Sequence, residues 1–293
     1  MPNQTLIIGT RGSALALTQT NAVADALRRS HKELTVEIQI ISTRGDATQA
    51  ANVPLSSFGE KGIFAKELEL ALLSEEIDLA VHSMKDLAHT LPEGLVVATV
   101  PGREDPRDVL IGGTLSTLPS GARVGTGSVR RRALFISRRP DLEFLEIRGN
   151  IDTRLQKLAD GGYDAICLAA AGLHRLGLTD RITEYLDPVW FIPDPGQGAL
   201  ALQTREDDTR VRGLTAALND MASQAATLAE RAFLREVGGS CQTPVGAHAH
   251  YDGDALILRA MIVTSAGRML RAEEGGAPHM PEALGTRVAK MLR

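Results

Sequence analysis

One pattern, met three times along the chain, limits the folds open to it more than any other. It is a short apolar run, a turn of small residues, an arginine, then a helical stretch. It occurs at Leu6-Ile7-Ile8-Gly9-Thr10-Arg11-Gly12-Ser13, at Val124-Gly125-Thr126-Gly127-Ser128-Val129-Arg130-Arg131, and at Ile147-Arg148-Gly149-Asn150 with Arg154 beyond. The apolar runs read as buried strands, and Ser13 as the N-cap of a helix on which Leu15, Ala22, Val23, Ala26 and Leu27 recur. Strand, turn and helix repeated in this order predict a doubly wound α/β sheet, in which such turns open on one edge. Exposed N–H groups at helix starts attract anions, and arginine forks match carboxylates or phosphates two bonds at a time. Arg130, Arg131 and Arg132 share one first turn, where positive charge opposes the helix dipole, so an anion is expected to answer them. Two such lobes face to face would line a cleft with guanidinium groups, and the expected ligand carries several acidic groups.

Between the repeats, Val36, Ile38 and Ile40 alternate as a second strand, and a helix is predicted over 64–74. Asp78-Leu79-Ala80-Val81-His82-Ser83-Met84-Lys85-Asp86 reads as a buried strand ending in polar residues, where open α/β sheets meet their ligands. The stretch from about 43 to 62 shows no period. Connections longer than ~12–15 residues are uncommon unless they are lids or disordered, so a mobile cover over a site is expected. Residues 101–107 read as a crossing between lobes and 192–198 as a hinge, with 199–203 a strand returning to the first lobe. Ala165-Ile166-Cys167-Leu168-Ala169 is a buried strand, which makes Cys167 a core residue, and Arg175 lies on the short helix after it. Helices over 208–218 and 221–236, strands over 245–249 and 255–263, and a closing helix over 281–291 follow. The expected division is a first α/β lobe over 1–100 completed by 199–218, a second α/β lobe over 101–198, and a small α+β C-terminal domain over 219–293.

A chain of 293 residues is long enough for about two domains, or three small ones. Its net charge of −4 argues against general nucleic-acid binding, and 3% aromatic content against a base-stacking platform. Any anion site is therefore local. No run approaches the ~20 apolar residues of a membrane helix, and Met1-Pro2-Asn3-Gln4 lacks the basic start of a signal peptide. A cytoplasmic location is expected. The two cysteines have no metal-ligand spacing. His248 and His250 share one face of a strand, but no third ligand is in view, so no metal is expected. Cys241 lies in Val237-Gly238-Gly239-Ser240-Cys241-Gln242-Thr243-Pro244-Val245-Gly246, between glycines and a proline at a helix end. That setting suits an outward-reaching thiol on a tight turn; the alternative is a small buried apolar residue.

Taken together these stretches resemble the porphobilinogen deaminase (hydroxymethylbilane synthase) family. The resemblance runs through Gly9-Thr10-Arg11-Gly12-Ser13, Val81-His82-Ser83-Met84-Lys85-Asp86 and Arg103-Glu104-Asp105-Pro106-Arg107-Asp108. It continues through Arg148-Gly149-Asn150, Gly196-Gln197-Gly198-Ala199 and Gly239-Ser240-Cys241-Gln242-Thr243-Pro244, in order over nearly the whole chain. It implies two periplasmic-binding-protein-like lobes plus a small third domain. It also implies a cytoplasmic, monomeric transferase that joins four porphobilinogen units head to tail on a dipyrromethane cofactor, held by a thioether to Cys241. Asp86 matches the family's catalytic carboxylate, with Lys85 beside it. Arg11, Ser13, Lys85, Thr126, Ser128, Arg130, Arg131, Arg148, Arg154 and Arg175 match its cofactor- and substrate-binding positions. Gly127 stands where the family often has serine, and Leu87-Ala88-His89-Thr90 replaces a commoner Val-Pro start after the aspartate.

The residues read without the family agree. Each pyrrole bears an acetate and a propionate, for which a cleft of arginines is a natural host. Loss of the aminomethyl nitrogen leaves an electron-poor azafulvene, and an ionised Asp86 would stabilise its positive charge. A thiolate is a competent nucleophile toward such a centre. Two other classes compete. A two-lobed receptor for a small anion explains the arginines but gives Asp86 and Cys241 no role. A cysteine hydrolase would pair Cys241 with His248 or His250, and no supporting acid is evident.

Overall fold

The computed structural model describes residues 4–43, 65–238 and 243–293. The expected cover over 43–62 falls, but for Thr43, outside them, and Cys241 with Gly239, Ser240 and Gln242 does so too.

The first sheet starts with β1 (Gln4–Thr10), whose Leu6 and Ile8 are fully buried. Ser13 caps α1 (Ala14–Ser30), its Oγ accepting from the Ala16 N–H at 3.3 Å, as its position predicts. Then come β2 (Leu34–Ile40), α2 (Lys66–Leu73), β3 (Leu79–Ser83) and β4 (Leu95–Thr99). The chain leaves for a second sheet of β5 (Asp108–Ile111), β6 (Arg123–Gly125), β7 (Glu143–Leu145), β8 (Ala165–Ala169) and β9 (Glu184–Tyr185). Its helices are α3 (Val129–Ile136), α4 (Ile151–Ala159) and α5 (Ala170–Arg175). Strand β10 (Leu200–Arg205) returns to the first sheet, as expected, and inserts there between β3 and β4.

The two sheets repeat one plan. Their orders are β2-β1-β3-β10-β4 and β7-β6-β8-β5-β9, and the three leading strands are parallel in each. In each, the fourth strand, which the chain supplies on crossing over, runs antiparallel to both neighbours. This is the two-lobed, periplasmic-binding-protein-like α/β arrangement. Apolar clusters fill both faces of both sheets, so parallel strands such as β8, buried at its first four positions, lack alternation.

Helix α6 (Thr209–Ala216) leads to α7 (Met221–Val237), which ends on Gly238 in the left-handed region, φ +63°. Beyond lie β11 (Val245–Asp252), β12 (Ala255–Val263), β13 (Met269–Gly276) and α8 (Pro281–Met291). Strand β13 has no counterpart among the sequence expectations. Glu273, Glu274, Gly275 and Gly276 are poor strand formers, and pairing with β12 overrides them: Leu270 lies opposite Ile262, and Ala272 opposite Ala260. Helices α7 and α8 bury one face of this sheet, while Met261 joins Trp190, Phe191 and Ile192 in the second lobe's core.

The two crossings between lobes are bonded to each other. Arg103 Nε donates to Gln197 O at 2.8 Å, Gln197 Nε2 to Pro106 O at 2.7 Å, and the Glu104 N–H to Gly198 O at 3.2 Å. Gly198 is required here, since at φ +87° a Cβ would lie 2.2 Å from Glu104 O. Glu230 of α7, fully buried, ties the third sheet in. Its carboxylate takes both Arg103 Nη atoms (2.7 and 3.1 Å), the Gly196 N–H (2.6 Å) and the Ala249 N–H (2.7 Å).

Candidate active site

The parallel strands of both sheets run toward one cleft, and their C-terminal ends carry the residues singled out from the sequence. From the first lobe, β1 ends at Arg11 and Ser13, and β3 runs into a single 3₁₀ turn, Met84–Asp86, that presents Lys85 and Asp86. Arg11, Ser13 and Asp86 line one pocket with Gln19, His82 and Ser83. Gln19 Nε2 and Ser83 Oγ are bonded there at 3.2 Å.

From the second lobe, β6 leads into Thr126, β7 into the turn bearing Arg148, and β8 into the helix bearing Arg175. Thr126 Oγ1 accepts from the Ser128 N–H (3.2 Å), and Ser128 Oγ caps α3 through the Arg131 N–H (3.3 Å). The anion that meets Arg130 and Arg131 is internal. Asp108 Oδ2 takes Arg130 Nη1 at 2.8 Å, and its Oδ1 takes Arg131 Nε at 2.9 Å and Nη2 at 2.7 Å. Arg130 Nη1 also bonds Ile192 O, and Arg131 Nη1 bonds Cys167 O. Burial alone would raise the Asp108 carboxyl, yet the two guanidinium groups carry it down to about 2. The anion expected to answer this first turn is thus supplied, for Arg130 and Arg131, by Asp108, while Arg132 is exposed. Arg130 Nε is buried without a hydrogen-bond partner.

Positive charge remains in excess deeper in the cleft. Arg154 is half-buried, its Nε donating to Gly149 O at 2.7 Å. Burial, then the neighbouring Arg131 and Arg148, push its pKa down to about 10, with Asp86 the opposing influence. Lys85 donates to Gln197 Oε1 at 3.2 Å, and burial and Arg131 lower its pKa against the pull of Asp86, Asp194 and Asp108. Arg148 pairs with Glu146, and Arg175 donates to Gly198 O at 2.7 Å. So Lys85, Asp86, Arg131, Arg148 and Arg154 lie within electrostatic reach of one another, and Arg175 stands by the returning crossing at Gly198. A half-buried guanidinium bonded to a carbonyl and pressed by two cations is a seat for a carboxylate. The donor set therefore suits a polycarboxylate cofactor.

Asp108, Gln197, Gln19, Ser83 and His82 received no role from sequence reasoning. Gln197 Nε2 reaches Asp108 Oδ1 at 3.1 Å, completing a chain from Lys85 to the arginines. Asp108 and Gln197 hold the charged residues, while Gln19 and Ser83 bond each other in the pocket; none has a periodic signal, and Asp108, Gln197, Ser83 and His82 lie inside motifs quoted above. Cys167 is fully buried and its thiol pushed up to about 12 by burial, as a core residue. His248 and His250 stack at 5.5 Å on β11, and no cluster of three or more metal-binding side chains occurs among the described residues.

Two family models match the chain: "Porphobilinogen deaminase, dipyromethane cofactor binding domain" over residues 6–213 and "Porphobilinogen deaminase, C-terminal domain" over residues 225–293. A porphobilinogen deaminase of Roseiflexus sp. (strain RS-1) is 51% identical over 99% of this chain and 96% of its own length. One of Syntrophobacter fumaroxidans (strain DSM 10017 / MPOB) is 47% identical over 100% of this chain and 95% of its own length. Among solved structures, YhfZ from Shigella flexneri is 18% identical with a TM-score of 0.39, covering 79% of this chain and 94% of that one.

Proposed function

This chain belongs to the porphobilinogen deaminase family, and from that premise we propose how its residues divide the work. The activity is the stepwise head-to-tail condensation of four porphobilinogen molecules on a dipyrromethane cofactor, in tetrapyrrole synthesis. Ammonia leaves each unit, and hydrolysis releases the linear tetrapyrrole. Cys241 is the point of covalent attachment, through a thioether. When bound, the cofactor supplies a free pyrrole α-carbon as nucleophile.

The observation that carries the reading is the crowding of cations around Asp86, with Arg154 half-buried on a backbone carbonyl and pressed by Arg131 and Arg148. Arg148 and Arg154, with Arg11 and Ser13 across the cleft, receive the acetate and propionate groups of the pyrroles. Thr126 and Ser128 present hydroxyls at the start of α3. Arg130 and Arg131 are held in place by Asp108 and offer the ligand what that carboxylate leaves. Lys85, anchored on Gln197, faces the same groups, and Arg175 holds the hinge backbone from which the cleft opens. As the substrate's C–N bond breaks, its electron pair leaves with ammonia and positive charge settles on the pyrrole. Asp86 accepts the pyrrole N–H and stabilises that charge in a site of restricted water, where a fixed carboxylate is worth more than in bulk solvent. Lys85 and Arg154, both lowered in pKa, balance the carboxylate between turnovers.

The lobes are 1–100 with 199–218, and 101–198, and the third unit is 219–293. The cleft is built from one chain, which supports a working monomer. No helix among the described residues is long and apolar enough to cross a membrane, in keeping with a cytoplasmic enzyme. Two measurements test the reading. The intact protein should weigh more than its amino acids by one dipyrromethane unit, lost on Cys241→Ser. Asp86→Asn should fold normally with turnover reduced by about 10²-fold or more, and unchanged turnover would refute the role given to Asp86.

A further inference from the structure

His82 lines the Asp86 pocket, yet only 6% of the residue is exposed, and its Nε2 is buried with no hydrogen-bond partner. A buried polar atom left unpaired costs about 1–3 kcal/mol, and the Gln203 side chain is the group placed to meet this one. Its surroundings set its tautomer. In the register of β3 and β10, Ala201 lies opposite His82 and Gln203 opposite Ala80, which puts Gln203 on the same face as His82. Beneath α2, Gln203 Nε2 donates to Glu69 Oε1 at 3.1 Å. The carboxylate takes the amide nitrogen, so the amide presents its oxygen to the imidazole, and Gln203 Oε1 is buried and unpartnered as well. An acceptor oxygen calls for a donor, which assigns the ring proton to Nε2 and leaves Nδ1 as a bare lone pair. Burial, against Gln203 and together with Arg11, holds the imidazole pKa down to about 4, so the ring is uncharged at neutral pH.

We propose that His82 is a ligand-contacting residue of this pocket, its unprotonated Nδ1 accepting a hydrogen bond from the N–H-bearing end of the substrate. The inference rests on the reading that the pocket holds porphobilinogen. Arg11 and Ser13 suit the carboxylates; His82 and Asp86 are acceptors and suit the pyrrole N–H and the protonated aminomethyl group. Acceptors on one side and donors on the other orient the pyrrole before its C–N bond breaks. The Glu69–Gln203 pair acts as a positioning support that fixes the ring.

Nitrogen NMR of histidine-labelled Asp86→Asn holoenzyme, in which porphobilinogen is turned over more slowly by about 10²-fold or more, gives the direct test. A neutral Nε2–H tautomer is expected for His82 between pH 6 and 8, with its Nδ1 resonance moving on titration with porphobilinogen. An Nδ1–H tautomer, or an Nδ1 signal indifferent to porphobilinogen, overturns the proposal. In otherwise wild-type protein, His82→Phe should lower kcat/KM by about tenfold, and His82→Asn, which keeps a neutral acceptor, should restore most of it. Equal kinetics for His82→Phe and wild type would overturn it too. If the phenylalanine variant does not fold, the NMR titration decides. Full turnover in Asp86→Asn would instead sink the reading of Asp86, whatever His82 does.

Discussion

Asp108 shows how a single carboxylate organises a cluster of cations. It is fully buried and takes three guanidinium nitrogens and one amide, so Asp108→Asn would leave two buried arginines facing each other. That change should cost about 3–5 kcal/mol, read as a drop in thermal midpoint, with activity falling because Arg131 is no longer held. The acid dependence has a definite sign. The carboxyl sits at about 2 in the folded chain against 3.8 ordinarily, so its contribution is complete above about pH 4 and disappears as pH falls toward 2. Of order 2 kcal/mol is involved; urea midpoints taken from pH 5 down to 2 should fall less steeply for Asp108→Asn than for wild type. The arginines themselves were legible, because their place beside strand-end turns is a local pattern. Their partner was not, since Asp108 stands more than twenty positions away and only the antiparallel placement of β5 brings it under α3.

At the scale of elements, what the sequence told best was what depends on near neighbours. Strands β1, β3 and β8, the cap at Ser13, the return of β10 and the closing helix all come from runs of one apolar period with their own start signals. Strand β13 escaped because its character comes from the strand beside it. The polar chain Glu69–Gln203–His82 escaped for the same reason, each member being supplied by a different element. The crossings give an element-scale prediction. Gly198→Ala sets a methyl group against Glu104 O in a left-handed conformation, and should destabilise by about 2 kcal/mol or more. Because Arg175 and Glu104 both bond Gly198 O, KM should rise with it, measurable by steady-state kinetics below the variant's melting point. Ser13→Ala removes a cap worth about 1 kcal/mol and one polar wall of the pocket, so the melting temperature should fall modestly and KM should rise.

For the whole molecule, Glu230 is where three parts meet: the outgoing crossing through Arg103, the returning one through Gly196, and the third sheet through Ala249. Glu230→Gln cannot satisfy all of these, and it leaves Arg103, whose side chain is 10% exposed, without its counter-charge. We expect a loss of about 3–5 kcal/mol and calorimetric unfolding that separates into two transitions in place of one. A single transition at the wild-type temperature would count against this junction. The lacing of the two crossings reaches further than stability. Lys85 bonds Gln197, and Gln197 bonds Asp108, so the turn bearing Asp86 is moored to the crossings, about which any swing of the lobes would pivot. A point at a pivot travels least when the walls swing. Under the role proposed for Asp86, the reacting carboxylate is the stationary tool at the bench, and a lengthening polymer has to be fed past it, ring by ring.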